Sequence, residues 1–142
     1  MRRATLALVL AAAAALTLLP APAAQAIDCS RPKHLSTYVD GATGWADVCF
    51  DHGRYGGHFD ATVLDDKGDS HPVYISFYTD GGLWQKFVNK KGNGHSFTWT
   101  DQDFTYKKNE PASDVQYVYI KVCVDRYRDT CKTSGRLYNP DR

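Results

Sequence analysis

The stretch Val115-Gln-Tyr-Val-Tyr-Ile-Lys-Val-Cys-Val-Asp125 alternates with a period of two. Val118, Ile120, Val122 and Val124 fall on one side, and Tyr117, Tyr119, Lys121 and Cys123 on the other. Successive Cβ atoms of an extended chain point to opposite faces, so the pattern predicts a half-buried β-strand. Its β-branched and aromatic residues suit that conformation. One face of this strand is core and the other is display.

The same signal recurs along the chain. Trp45 to Phe50 sets Ala46, Val48 and Phe50 against Trp45, Asp47 and Cys49, and His58 to Asp65 turns Phe59, Ala61 and Val63 inward. Val73 to Thr79 is the clearest case after the first, with Val73, Ile75 and Phe77 in and Tyr74, Ser76 and Tyr78 out. Leu83 to Asn89 is extended with ambiguous facing. Ser96 to Thr100 carries Phe97 and Trp99 on one side and continues raggedly toward Tyr106. A short strand closes the chain near Gly135 to Tyr138. Gly41 to Gly44, the glycine-rich loop 51–57, Asp66 to Asp69, Asp80-Gly-Gly82 and Lys90 to Gly94 read as turns. Ile27 to Asp40, with Pro32 and mixed charges, reads as an irregular arm tethered by Cys29.

No helical period follows the first 26 residues. About seven short strands with glycine-rich turns between them define an all-β chain. The expectation is a small antiparallel β-sandwich of immunoglobulin-like architecture, stapled by disulfides. That likeness is one of architecture without a family match. Lys121 stands two residues before Cys123, where the immunoglobulin family places a Tyr, and strand phase turns Cys49 and Cys123 outward.

The N-terminus has a different composition. Met1-Arg-Arg3 is basic, Ala4 to Leu19 is apolar and uncharged, and Pro20 to Ala26 ends in Ala24-Gln-Ala26. This is the pattern of a secretory signal peptide over residues 1–26, cleaved before Ile27. The apolar run is shorter than the roughly 20 residues of a membrane span, so no span is expected once the leader is removed. Residues 27–142 then form one secreted, extracellular domain. Of 17 Lys and Arg, two leave with the leader, which sets 15 basic against 16 acidic residues, a net charge of −1. Such a balance gives no expectation of nucleic acid as a partner.

All four cysteines, Cys29, Cys49, Cys123 and Cys131, follow the leader. An even count in an exported chain reads as two disulfides, and four cysteines allow three pairings. The expected pairs are Cys29–Cys49 and Cys123–Cys131, the second closing a short loop at a hairpin tip. Neither pair has Cys-x-x-Cys spacing or a neighbouring His, so a zinc site is not expected.

Catalytic signals are weak. Glu110 is the only glutamate, and there is no Gly-x-Ser-x-Gly, His-Glu-x-x-His or phosphate loop. His52, Arg54, His58 and Lys86 are the residue types a small hydrolase needs, without spacing that gathers them. Asp51, His52, His58 and Asp60 are weighed as metal ligands, and Asp65-Asp-Lys-Gly-Asp69 as a calcium loop. A tight turn explains each better, since the second lacks the alternate acids and distal Glu of an EF-hand. The expectation is a non-enzyme without metal or cofactor.

Two surfaces remain as binding candidates. Tyr74, Tyr78, Tyr117 and Tyr119 occupy the outward phase of their strands and suit an extracellular polysaccharide or protein. Arg126, Tyr127 and Arg128 lie in the Cys123–Cys131 ring, where a stapled loop would present an arginine to a trypsin-like pocket. The sequence thus reads as a secreted binding domain, with a proteinase inhibitor as the alternative and a small secreted hydrolase as the next.

Overall fold

The computed structural model describes residues 29, 31–50, 54–92, 94–107, 109 and 113–142. The leader at 1–26, together with Asp51, His52 and Glu110, lies outside the described residues. The strands are β1 (Lys33–Val39), β2 (Ala42–Phe50), β3 (Gly56–Asp65), β4 (Val73–Thr79), β5 (Gly82–Asn89), β6 (Ser96–Thr105), β7 (Tyr117–Val124), β8 (Thr130–Thr133) and β9 (Leu137–Tyr138). They form a four-stranded sheet in the order β1-β2-β3-β6 and a five-stranded sheet in the order β5-β4-β7-β8, with β9 also pairing with β7. Every pairing is antiparallel. The chain crosses between the sheets so that β6 returns beside β3 and β7 beside β4.

The two inner faces make one core. Phe59, Val63, Val73, Ile75, Phe77, Val118, Ile120 and Val122 are all fully buried. Each such side chain contributes on the order of 1.5–3 kcal/mol by leaving water. Phe59 of β3 stacks on Phe77 of β4 with centroids 3.7 Å apart, and Phe104 and Phe87 pack their edges around the pair. The alternation in β7 is obeyed throughout: Val118, Ile120, Val122 and Val124 are inside.

Among the described residues nine strands replace the expected seven, and the two additions are β1 and β8. The N-terminal arm is not irregular over its whole length. Lys33–Val39 pairs with β2 from Lys33 opposite Val48 to Val39 opposite Ala42, burying Leu35 and Val39. Its period of two is present but diluted by polar side chains, because an edge strand needs only a thin apolar stripe. The other addition, β8, pairs with β7 at the base of the ring, where Cys123 stands directly opposite Cys131 and the ladder runs on to Lys121 opposite Thr133.

Gly41 to Gly44 is likewise not wholly a turn. The bend is at Asp40-Gly41, and Gly44 lies inside β2. A Cβ on Gly44 would meet Val122 Cγ2 at 2.5 Å and Ile75 Cδ1 at 3.3 Å, so its glycine lets the facing sheet come close. The ragged end of β6 resolves into a register shift at Asp60, where Asp101 takes a positive φ of 54° and its N–H donates to Asp60 Oδ1 at 2.7 Å. A second shift, between Phe77 and Tyr78, explains the ambiguous facing of β5.

Side chains close the sandwich at its edges, where backbone groups lack ladder partners. Trp84 Nε1 donates to the Asp103 carbonyl at 2.8 Å, tying β5 to β6. The fully buried Asn89 donates through Nδ2 to the His95 carbonyl at 2.7 Å, and its Oδ1 accepts from the Lys91 N–H at 2.9 Å. Two disulfides, Cys29–Cys49 and Cys123–Cys131, complete the frame.

Candidate binding face

The outer face of the five-stranded sheet gathers most of the outward tyrosines. β4 and β7 are direct neighbours, with Tyr78 opposite Tyr119, Ser76 opposite Lys121 and Tyr74 opposite Cys123. Tyr78 and Tyr119 stack with centroids 4.8 Å apart and planes 6° apart. Tyr117 lies two residues along β7, its ring 6.3 Å from that of Tyr119. Tyr138 of β9, opposite Tyr117, packs against it edge-on at 5.8 Å. Four rings thus form a tier, Tyr78–Tyr119–Tyr117–Tyr138.

This differs from the expected set in two ways. Tyr74 is on the outward side of β4 but is covered, with 7% of its surface exposed. Its hydroxyl donates to Asp129 Oδ2 at 2.6 Å, and the Lys86 ammonium sits 3.4 Å above the centre of its ring. Burial, then the Asp129 carboxylate, holds its phenol well above the ordinary tyrosine range. Tyr74 therefore fastens the Cys123–Cys131 ring to the sheet and is not on display. Its place in the tier is taken by Tyr138, which is 63% exposed. The signal for Tyr138 was available as the alternation of Arg136, Leu137 and Tyr138, but so short a run carries little weight alone.

The pair is also not an open platform. Tyr78 and Tyr119 stack, and each covers one face of the other, as cross-strand aromatic neighbours do. Beside them Tyr117, Tyr119, Thr133, Ser134 and Arg136 line an open hollow of about 300 Å³. The Arg136 guanidinium carbon lies over the Tyr117 ring, 4.3 Å from its centre. Burial, with the neighbouring Tyr78 and Tyr117, pushes the Tyr119 phenol above its ordinary value against the opposing pull of Arg136. Tyr119 stays a neutral hydroxyl, able to donate and accept.

The disulfide ring is less free than expected. Tyr127 is fully exposed and Arg128 is exposed, but Arg126 donates through Nη2 to Asp69 Oδ2 at 2.7 Å. Asp69 also accepts from the His71 backbone N–H, and these bonds, that of His71 foremost, hold its carboxyl below the usual range. Asp65 and Asp66 are similarly occupied, Asp65 by the Lys67 N–H and Asp66 by the Thr43 hydroxyl. The acids of segment 65–69 are thus taken up by the turn N–H groups of Lys67 and His71, by Thr43 and by Arg126.

The outer face of the four-stranded sheet has the opposite character. Asp47 is opposite Asp60, and His58 lies between Cys49 and Asp103. His34 hydrogen-bonds to Asp47 at 2.8 Å. A shallow hollow there is lined by Cys29, Pro32, Asp47, His58, Asp60, Thr100 and Asp101. The fold brings His58 within 4.8 Å of both Cys29 and Cys49, which spacing in sequence does not suggest, but both sulfurs are joined in the disulfide. Of the other hydrolase candidates, His52 lies outside the described residues. Arg54 faces Asp114 at 3.4 Å, and Lys86 is on the other sheet.

No family model, curated protein or solved structure matches this chain.

Proposed function

We propose that this protein is a secreted binding domain that takes an extracellular polysaccharide against its tyrosine tier. The observation that carries this reading is the hollow formed by Tyr117, Tyr119, Thr133, Ser134 and Arg136 beside the stacked Tyr78–Tyr119 pair. Its volume of about 300 Å³ falls at the small end of ligand pockets. Tyrosine combines an apolar body with a polar tip, which suits a sugar ring with C–H faces and hydroxyl rims. Rigid strands carry the tyrosines, so little entropy is lost on docking.

The strand order supports the finer reading of the architecture as immunoglobulin-like. β3 with β6, and β4 with β7, stand in the neighbour relations of that architecture, and β1 adds an edge strand. Fold class does not itself specify a ligand, so the functional argument rests on the face.

The test is affinity electrophoresis of the purified protein through gels holding a panel of polysaccharides. Retardation by at least one polymer is expected, and Tyr117→Ala and Tyr119→Ala should weaken it without lowering the thermal midpoint by more than a few degrees. Retardation that survives both substitutions would move the site elsewhere.

The Cys123–Cys131 ring supports a second reading as a proteinase inhibitor, because Tyr127 and Arg128 are exposed on a loop closed by a disulfide.

A further inference from the structure

The charges of this domain are sorted by sheet. On the outer face of the five-stranded sheet Lys86 lies opposite Ser76, Lys121 opposite Ser76 from the other side, and Arg136 on Tyr117. Among the described residues none of these three cations makes an ion pair. Arg54, Arg126 and Arg142, by contrast, all reach carboxylates, at 3.4, 2.7 and 2.9 Å. Two acids bordering the face are already accepting hydrogen bonds, Asp129 from Tyr74 and Asp80 from the Gln116 N–H. The outward positions of the four-stranded sheet hold Asp47, Asp60 and Asp103 and, among the described residues, no Lys or Arg. A net charge of −1 for residues 27–142 therefore conceals a cationic face that carries the tyrosines.

We infer that the ligand of the tyrosine face is an anionic glycan whose sugar rings bear carboxylates, a uronate polymer. This rests on the polysaccharide reading above and specifies it. Arg136 is the central element. Its guanidinium lies over the Tyr117 ring, and a guanidinium can grip a carboxylate through two parallel N–H bonds. Lys121, opposite Thr133 at the rim of the hollow, supplies a second point charge. A chain of small polyol phosphates offers the charge but no ring for the tier to hold. A single-stranded nucleic acid stacks its bases on wide aromatic faces, and here Tyr78 and Tyr119 each give one face to the other while Arg136 lies over Tyr117.

The test uses the purified protein in gels holding polygalacturonate, the same polymer fully methyl-esterified, or poly(glycerol phosphate). Esterification keeps the rings and removes the charge. Affinity for the acidic polymer should exceed that for the ester about tenfold, the worth of one good charge-assisted contact. Arg136→Gln and Lys121→Gln should each weaken acidic binding several-fold and flatten its salt dependence, with unchanged circular dichroism. Equal affinity for acid and ester overturns the inference and leaves the polysaccharide reading standing. Equal or stronger affinity for poly(glycerol phosphate), or acidic binding indifferent to both substitutions, overturns it as well. Concentration-dependent self-association in sedimentation without polymer would make the occupant of the cationic face a second copy, seated by its acidic sheet, and also overturns it. No retardation by any glycan takes down both readings together.

Discussion

Tyr78 on β4 and Tyr119 on β7 stand directly opposite each other, with ring planes 6° apart and centroids 4.8 Å apart. The pair lies over the outside of the five-stranded sheet, while Phe77 and Ile120, one residue along each strand, meet inside it. The relationship fixes the phase of both strands at once and separates surface energetics from core energetics at adjacent positions.

That separation is measurable by urea denaturation. Tyr119→Ser removes an outer aromatic pair and is expected to cost about 1 kcal/mol. Ile120→Ser leaves a cavity and a buried hydroxyl, and should cost several times as much, on the order of 3–5 kcal/mol. A double-mutant cycle with Tyr78→Ala should give a coupling of about 0.5–1.5 kcal/mol between the stacked rings. Equal losses at positions 119 and 120 would refute the phase.

Tyr74 ties alkaline stability to one hydrogen bond. Its phenol titrates above the ordinary value because it is buried and donates to Asp129. In the unfolded chain the group titrates near pH 10, about the reference value. Below that both states hold the proton and the contribution is complete. Above it the unfolded chain gives up its proton first, so stability falls as pH rises toward the folded pKa. Tyr74→Phe should cost about 1.5 kcal/mol at neutral pH. It should also flatten the loss of stability above pH 10, as followed by thermal midpoints across an alkaline series. Tyr119 is shifted in the same direction, so part of the alkaline slope should persist. An unaltered slope would mean that Tyr74 is not the group responsible.

The disulfide ring has two arginines in different states. Arg126 is held by Asp69, and Arg128 is exposed. A trypsin-like protease that reaches this loop should therefore cut or dock at Arg128. If the inhibitor reading holds, titration of such a protease should be stoichiometric and should vanish with Arg128→Ala while surviving Arg126→Ala. Rapid cleavage after Arg128 without inhibition, seen by peptide mapping, would show the loop to be only a substrate.

Gly44 tests the spacing of the sheets. Gly44→Ala forces a methyl group toward Val122 Cγ2 and should cost about 1–3 kcal/mol by overpacking. Val122→Ala alone should also destabilise, by about 1.5–3 kcal/mol. Together they should cost clearly less than their sum, because the second change makes room for the first. Strict additivity would show that the contact does not limit the approach of the sheets.

The sequence already held the strands whose apolar residues alternate strictly. β3, β4 and β7 are long, and each buries one full side, so periodicity exposes them. β1 was hidden because an edge strand with one partner buries only Leu35 and Val39 well. Gly44 was read as a turn because glycine's lack of a Cβ serves close approach as readily as it serves a bend. The tier was half legible. Phase places Tyr78, Tyr117 and Tyr119 outward, but a count of alternating residues says nothing of what covers them. Tyr74 was lost to Asp129, which lies 55 residues away in sequence. Arg136 and Tyr138 joined the tier through β9, a strand expected near Gly135 to Tyr138, but at two residues it is too short for alternation to assign its facing.

The sorting of charge by sheet also bears on how the domain meets a surface. With almost no monopole, it is neither drawn strongly toward nor driven from a charged wall. It does possess poles, so a field gradient turns it. Near an anionic surface the torque points the tyrosines inward and the row of aspartates outward before contact is made. A layer bound in that pose would show the medium the same sign of charge as the bare surface beneath.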